Sequence, residues 1–229
     1  MIELQNVSKR YITQSALTNI SLTLPKGKII GIIGENGSGK STTLKLIAGL
    51  IQPTSGTILV DGIPVTRRIS QYVAYLSELD QLYDFYTVQE IVKYYASQYP
   101  DFDQNKAQDM IQFFKLDPTK KVAHLSKGNR GRVKLVLTLS RNVPYILMDE
   151  PLSGLDPLVR DSVIRSLISF INFEEQTVII TTHEIAEIEP LLDYVIMISN
   201  GQVLASTEVE QIREQKQQSL LEWMKQLSS

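Results

Sequence analysis

The stretch GENGSGKST at residues 34–42 sits between the apolar run KIIGII (28–33) and a helical pattern running from Lys40 to Gly49. Gly34, Gly39, Lys40 and Ser41 fit the spacing G-x-x-x-x-G-K-[ST]. The glycines let backbone N–H groups turn inward around an anion. The helix that follows adds the positive end of its dipole. Lys40 is placed to reach the β- and γ-phosphates of a nucleotide, and the Ser41 hydroxyl to ligate Mg²⁺. A plain glycine turn between strand and helix would show this pattern by chance about once per hundred chains of this length. The flanking strand and helix lower that rate further. Gly34, Glu35, Asn36, Gly37, Ser38, Gly39, Lys40, Ser41 and Thr42 are therefore the candidate nucleotide-binding residues.

A second stretch supplies the acids that such a loop needs. YILMDEP at 145–151 ends an apolar strand in Asp149 and Glu150. In a parallel α/β sheet, ligands bind outside the carboxyl ends of the strands. Asp149 suits Mg²⁺ held through water, and Glu150 suits proton abstraction from an attacking water, or its orientation. Alone, an acid pair after an apolar run reads as solvated loop carboxylates; beside the phosphate loop it reads as catalytic.

The rest of the chain gives the frame. IELQNV, LTNISLTL and KIIGII read as opening strands, TILVDG as a strand ending in an Asp-Gly turn, and QYVAYL (71–76) as another strand. From 77 to 143 the character is helical. Thr87 and Glu90 form a capping-box pattern, and Asp103 is placed to cap the next helix. YILM, TVIIT and YVIMI are the unbroken apolar strands of a parallel sheet. Asp156 and Pro157 open a helix between the first two. The expected fold is α/β: a phosphate-loop NTPase core, mostly parallel with an antiparallel N-terminal part, plus an inserted helical subdomain. The expected division is one domain over 1–229, with core 1–76 and 144–229 and helices in 77–143.

Composition narrows the class. The 229 residues are 43 % hydrophobic and carry a net charge of −2, which speaks against a general nucleic-acid binder. No cysteine is present, so thiol chemistry and cysteine metal sites are excluded. No secretory leader and no run of about 18 apolar residues is visible, so any membrane span is expected from a partner.

Phosphate-loop folds host kinases, GTPases, helicases and transport motors, and the fold alone does not choose among them. Over essentially its whole length the chain resembles the ATP-binding subunit of ABC transporters. GENGSGKST matches that family's Walker A motif, LSKGN (125–129) its signature, and ILMDEP its Walker B. SGLD (153–156) matches its D-loop, and His183 in TTHE its switch histidine. The resemblance implies that Tyr11 stacks on adenine and that His183 contacts the γ-phosphate, joining Lys40 and Glu150 as catalytic residues. It implies an ATP-dependent dimer, homo- or heteromeric, in which Ser126 and Gly128 of one subunit cover ATP held by the other. It also implies an integral-membrane permease partner and a place on the inner, cytoplasmic face of the cell membrane. Two departures stand out. Lys127 and Asn129 replace the usual Gly and Gln of the signature, and Glu78 replaces the glutamine that often joins core to helices, where it becomes a candidate Mg²⁺ ligand beside Ser41 and Asp149.

Three features carry simpler readings. The basic residues Lys127, Arg130, Arg132 and Lys134 are expected to be mostly solvated or interfacial, and with no interleaved aromatics they are not expected to bind nucleic acid. Seven of ten tyrosines fall between 72 and 99. The segment 71–103 sets Lys93 against Glu78, Asp80, Asp84, Glu90, Asp101 and Asp103, a balance of −5, so an acidic aromatic face fits a protein partner better than RNA; about half of these tyrosines are expected simply to pack. Leu220, Trp223, Met224 and Leu227, at helical spacing in a charge-balanced tail, are expected to pack on the core rather than lie on a membrane. A soluble ATPase of the same class acting on ribosomes or DNA is one alternative, disfavoured by the single phosphate loop and the lack of heptads. A hydrolysis-poor regulatory subunit is another.

Overall fold

The structure is a computed structural model describing residues 1–183, 185–216 and 219–228. Its centre is a six-stranded sheet built around unbroken apolar strands. Two long strands, β1 (Ile2–Tyr11) and β2 (Gln14–Leu24), come first and pair antiparallel. Next are β3 (Ile29–Ile33) and the helix α1 (Lys40–Ile47). A hairpin of β4 (Ser55–Val60) and β5 (Ile63–Pro64) turns at Asp61 and Gly62, both at positive φ, as an Asp-Gly turn requires. β4 pairs antiparallel with β1, giving the N-terminal sheet the order β2-β1-β4-β5.

β6 (Val73–Leu76) is shorter than the six-residue strand expected from sequence. Residues Arg67–Gln71 form a 3₁₀ turn instead, started by Thr66, whose side chain accepts from the Arg68 N–H. The helical segment holds α2 (Val88–Gln98), α3 (Gln104–Phe113) and α4 (Lys127–Leu139). Thr87 and Glu90 form the complete capping box, and Asp103 caps α3. Then follow β7 (Tyr145–Asp149), α5 (Pro157–Phe170) capped by Asp156, β8 (Thr177–Thr182), the short α6 (Ile185–Ile188) and β9 (Tyr194–Ser199). β10 (Gln202–Glu208), α7 (Val209–Lys216) and α8 (Leu220–Ser228) end the chain. β10 was not foreseen: as an edge strand it alternates exposed and half-buried residues and has no apolar run. The Asn200-Gly201 turn before it, at φ 49 and 74, was the available hairpin signal.

The central sheet runs β10-β9-β3-β8-β7-β6, parallel except for the β10 edge. The expected α/β class holds. All five residues of β3 and of β7 are buried, because the sheet is covered on both faces. Alternation along β3 splits the core: Ile30 and Ile32 pack with α1 and the N-terminal sheet, and Ile29 and Ile33 pack with the helical segment and the C-terminal helices. Trp223 and Leu220 of α8 are 3 % and 1 % exposed within that second core and Met224 packs against it, as their spacing suggested, whereas Leu227, near the end of the helix, is exposed. Among the described residues no helix is long and apolar enough to cross a membrane.

Candidate nucleotide site

Strand order decides which residues meet. β3, β8, β7 and β6 are neighbours running the same way, so their carboxyl ends lie side by side. The phosphate loop leaves β3, His183 follows β8, Asp149 and Glu150 end β7, and Glu78 follows β6. A cleft of about 590 Å³ opens there. Tyr11, Asn36, Gly37, Gly39, Lys40, Ser41, Thr42, Glu78, Glu150 and His183 line it, together with Ser153, the first residue of SGLD, and with Gln14 and Ala16, which the sequence did not single out. Gly34, Glu35 and Ser38 belong to the same loop without lining the cleft.

The loop closes tightly on the fold. A Cβ on Gly34 would overlap the Ile198 carbonyl oxygen, and one on Gly39 would lie 2.8 Å from the Ala16 oxygen; their φ values are 150° and 115°. The Ser38 hydroxyl oxygen is buried without a hydrogen-bond partner. Lys40, 5 % exposed, donates from Nζ to the carbonyls of Gly34 at 2.9 Å and Glu35 at 3.0 Å. The same Nζ lies 3.7 Å from Glu150 Oε1. Glu150 Oε2 in turn lies 2.8 Å from His183 Nδ1. Glu150 sits at φ 49°, a left-handed conformation held by its N–H, which donates to the Thr181 carbonyl and hydroxyl at 3.2 and 3.0 Å. Residue 184, the last of TTHE, lies outside the described residues.

Asp149 is 1 % exposed. It accepts from the Ser41 and Thr181 hydroxyls at 2.8 Å each and from the Tyr75 hydroxyl at 3.0 Å. Burial, then the adjacent Asp149 carboxylate, pushes the Tyr75 phenol well above its ordinary range, so it stays a donor. Tyr75 sits in no motif, and Thr181 opens TTHE without being given a role there by the sequence. Among the described residues, no group of three or more His, Cys, Asp or Glu forms a metal cage. Mg²⁺ needs none, since it usually takes one or two carboxylates with substrate phosphates. Ser41 beside Asp149, with Glu78 at the rim, offers the hard oxygens that fit it.

Ser126 and Gly128 lie apart from this cleft, at the start of α4. The Ser126 side chain caps the helix by accepting from the Asn129 N–H at 3.4 Å. Gly128 lets α4 approach α5: a Cβ there would lie 3.1 Å from Val159 Cγ2. Of the basic residues expected to be mostly solvated or interfacial, Arg130, Arg132 and Lys134 are half-buried against their own chain. Arg130 makes charge-assisted hydrogen bonds to Asp80 and Asp84 and to the Val122 carbonyl. Arg132 donates to Asn129 and Ser162 and lies over the Phe114 ring. Lys134, its ammonium pKa lowered by burial, donates to the carbonyls of Glu78 and Leu79. The segment 78–84 is close in space though far in sequence: Arg130 folds onto its acids and Lys134 onto its backbone carbonyls. Lys127 alone stays exposed, its ammonium laid over Gly154. The tyrosines also pack more than expected: of the seven between 72 and 99 only Tyr83 is exposed.

A family model described as ABC transporter matches residues 17–153. The ABC transporter ATP-binding protein YtrB of Bacillus subtilis is 31 % identical over 217 residues, covering 94 % of this chain and 74 % of that protein. A solved ATP-binding subunit of an ABC transporter superposes with a TM-score of 0.86 at 27 % identity, covering all of both chains. The ATP-binding cassette MJ0796, solved as a dimer in a post-hydrolysis state with ADP and Pi, superposes at 0.80 with 25 % identity, covering 91 % of this chain and 98 % of that one.

Proposed function

The chain belongs to the ABC transporter family as an ATP-binding, ATP-hydrolysing subunit, and we propose how its cleft performs the reaction. Tyr11, 44 % exposed at the cleft wall, stacks on the adenine. The backbone of 34–42 cradles the phosphates, and Lys40 turns from its own loop carbonyls toward the β- and γ-phosphates. Ser41, Asp149 and Glu78 hold Mg²⁺, which when bound neutralises phosphate charge. Glu150 orients the attacking water and takes its proton. His183 holds Glu150 in place and contacts the γ-phosphate.

One observation carries this reading: Lys40, Glu150 and His183, delivered by three different strands, form a connected chain at 3.7 and 2.8 Å within one cleft. A cation for the phosphates, a base and its orienting group are the components that water attack on a phosphoryl group needs.

Ser126 and Gly128 act in trans. They start an exposed helix N-terminus away from their own cleft, where a hydroxyl, N–H groups and the helix dipole suit an anion brought by another subunit. The likeness to a dimeric cassette supports a head-to-tail pair of ATPase subunits. The helical segment 77–143 serves as the face toward a membrane-spanning permease. A 260 Å³ groove between it and the core is lined by Leu50, Leu79, Leu82, Tyr95 and Tyr99, and the same segment exposes Tyr83 and Phe85 in mutual contact, apolar surface of the kind that marks protein contacts. This arrangement holds the subunit on the cytoplasmic face of the membrane. ATP turnover by the purified protein, alone and with the membrane protein encoded or purified with it, tests the reading. Turnover that Lys40→Ala leaves intact would place the chemistry elsewhere.

A further inference from the structure

The Asp149 carboxylate is held from two neighbouring strands and from α1. Thr181 of β8 faces it directly across the ladder. Tyr75 of β6 pairs with Leu147, two residues before Asp149, so both side chains leave the sheet on the same face. A diagonal neighbour at that spacing is out of reach for a short side chain but within reach of an aromatic one. The tyrosine hydroxyl meets Oδ2 at 3.0 Å, while Ser41 and Thr181 both occupy Oδ1 at 2.8 Å. The ring itself packs against the apolar cluster holding Leu147 and Ile179, so the hydroxyl arrives already placed.

We propose that Tyr75 is a positioning residue of the metal site, pinning Oδ2 of Asp149 so that Oδ1 stays aimed at the Ser41 hydroxyl. This rests on the reading of Ser41 and Asp149 given above. The terminal torsion of an aspartate is broad. A carboxylate held only through Oδ1 would rock, and its two oxygens would share the direction of Ser41. With Oδ2 taken, one oxygen is presented in one direction. Outer partners of this kind change metal affinity by about 10- to 100-fold when removed.

The test measures binding of a non-hydrolysable fluorescent ATP analogue, in EDTA and across a Mg²⁺ titration, for wild type, Tyr75→Phe and Tyr72→Phe. Tyr72→Phe removes a hydroxyl just before the same strand and serves as control. In EDTA the three proteins bind the analogue alike. The Mg²⁺ concentration giving half-maximal enhancement rises about tenfold for Tyr75→Phe and stays put for Tyr72→Phe. Superimposable Mg²⁺ curves for wild type and Tyr75→Phe overturn the assignment. Equal loss of affinity with and without Mg²⁺ also overturns it, since that is the mark of a packing role. Failure of wild type to bind the analogue at all overturns the reading of the phosphate loop, and this assignment with it.

Discussion

Glu150→Gln separates binding from chemistry. The substitution keeps shape and the left-handed backbone, since the anchoring bonds to Thr181 come from the main-chain N–H. Its side-chain oxygen still accepts from His183. What disappears is the base and one charge. Loss of a positioned base costs about 10² to 10⁴ in rate, or roughly 3–5 kcal/mol of transition-state stabilisation. The lost charge acts on binding in the opposite direction. Lys40 and Glu150 are both nearly buried at 3.7 Å. Their gross attraction is about 4 kcal/mol at an effective dielectric of 20, much of it cancelled by desolvation. Neutralising Glu150 leaves Lys40 with two carbonyl acceptors and, among the described residues, no counter-ion, so the nucleotide-free protein loses stability. It also removes a negative charge from beside the phosphates, so ATP binds as well or better. The expected result is turnover reduced at least about a hundredfold, a lower melting temperature without nucleotide, a larger rise on adding ATP, and an ATP-bound dimer on gel filtration. Turnover within about threefold of wild type, against the expected hundredfold, would refute Glu150 as the base. Weakened ATP binding would refute the electrostatic account of Lys40.

Gly39→Ala meets both a left-handed φ and the Ala16 carbonyl; a loss of about 1–3 kcal/mol and of ATP binding is expected in denaturant and nucleotide titrations. Ser126→Arg leaves ATP affinity of the isolated subunit close to wild type but abolishes hydrolysis, and loss of binding by the isolated subunit would refute the trans arrangement. The Arg130 hydrogen bond holds the Asp80 carboxyl below its ordinary 3.8, so the stability it adds is present above that pH and is lost as pH falls through the lowered value. The difference in urea midpoint between wild type and Asp80→Asn should hold from pH 7 to about 5 and close below 3.8; a gap that persists in acid would show that the charge is not involved. Glu78→Gln should keep turnover but flatten its dependence on Mg²⁺, and unchanged dependence would make Glu78 a solvated rim residue.

What could be read without coordinates is what is local in the chain. The phosphate loop is contiguous because its work is done by successive backbone N–H groups. Thr87, Asp103 and Asp156 were legible as caps because a cap acts within three residues. The unbroken apolar runs of β3, β7 and β8 revealed a covered parallel sheet, since only burial on both faces tolerates them. The tertiary structure decided what depends on strand order and side-chain reach. The order β3-β8-β7-β6 brings Lys40, His183, Glu150 and Glu78 to one edge, although they span more than a hundred residues of chain. The hydroxyls of Tyr75 and Thr181 converge on Asp149 only because neighbouring strands are in register there. The basic stretch near Ser126 looked solvated or interfacial because the counter-charges of Arg130, Asp80 and Asp84, lie some fifty residues away in sequence. Charge pairing across a fold leaves no periodic trace in either partner's neighbourhood, whereas a cap, a turn or a buried strand writes its requirement into adjacent residues.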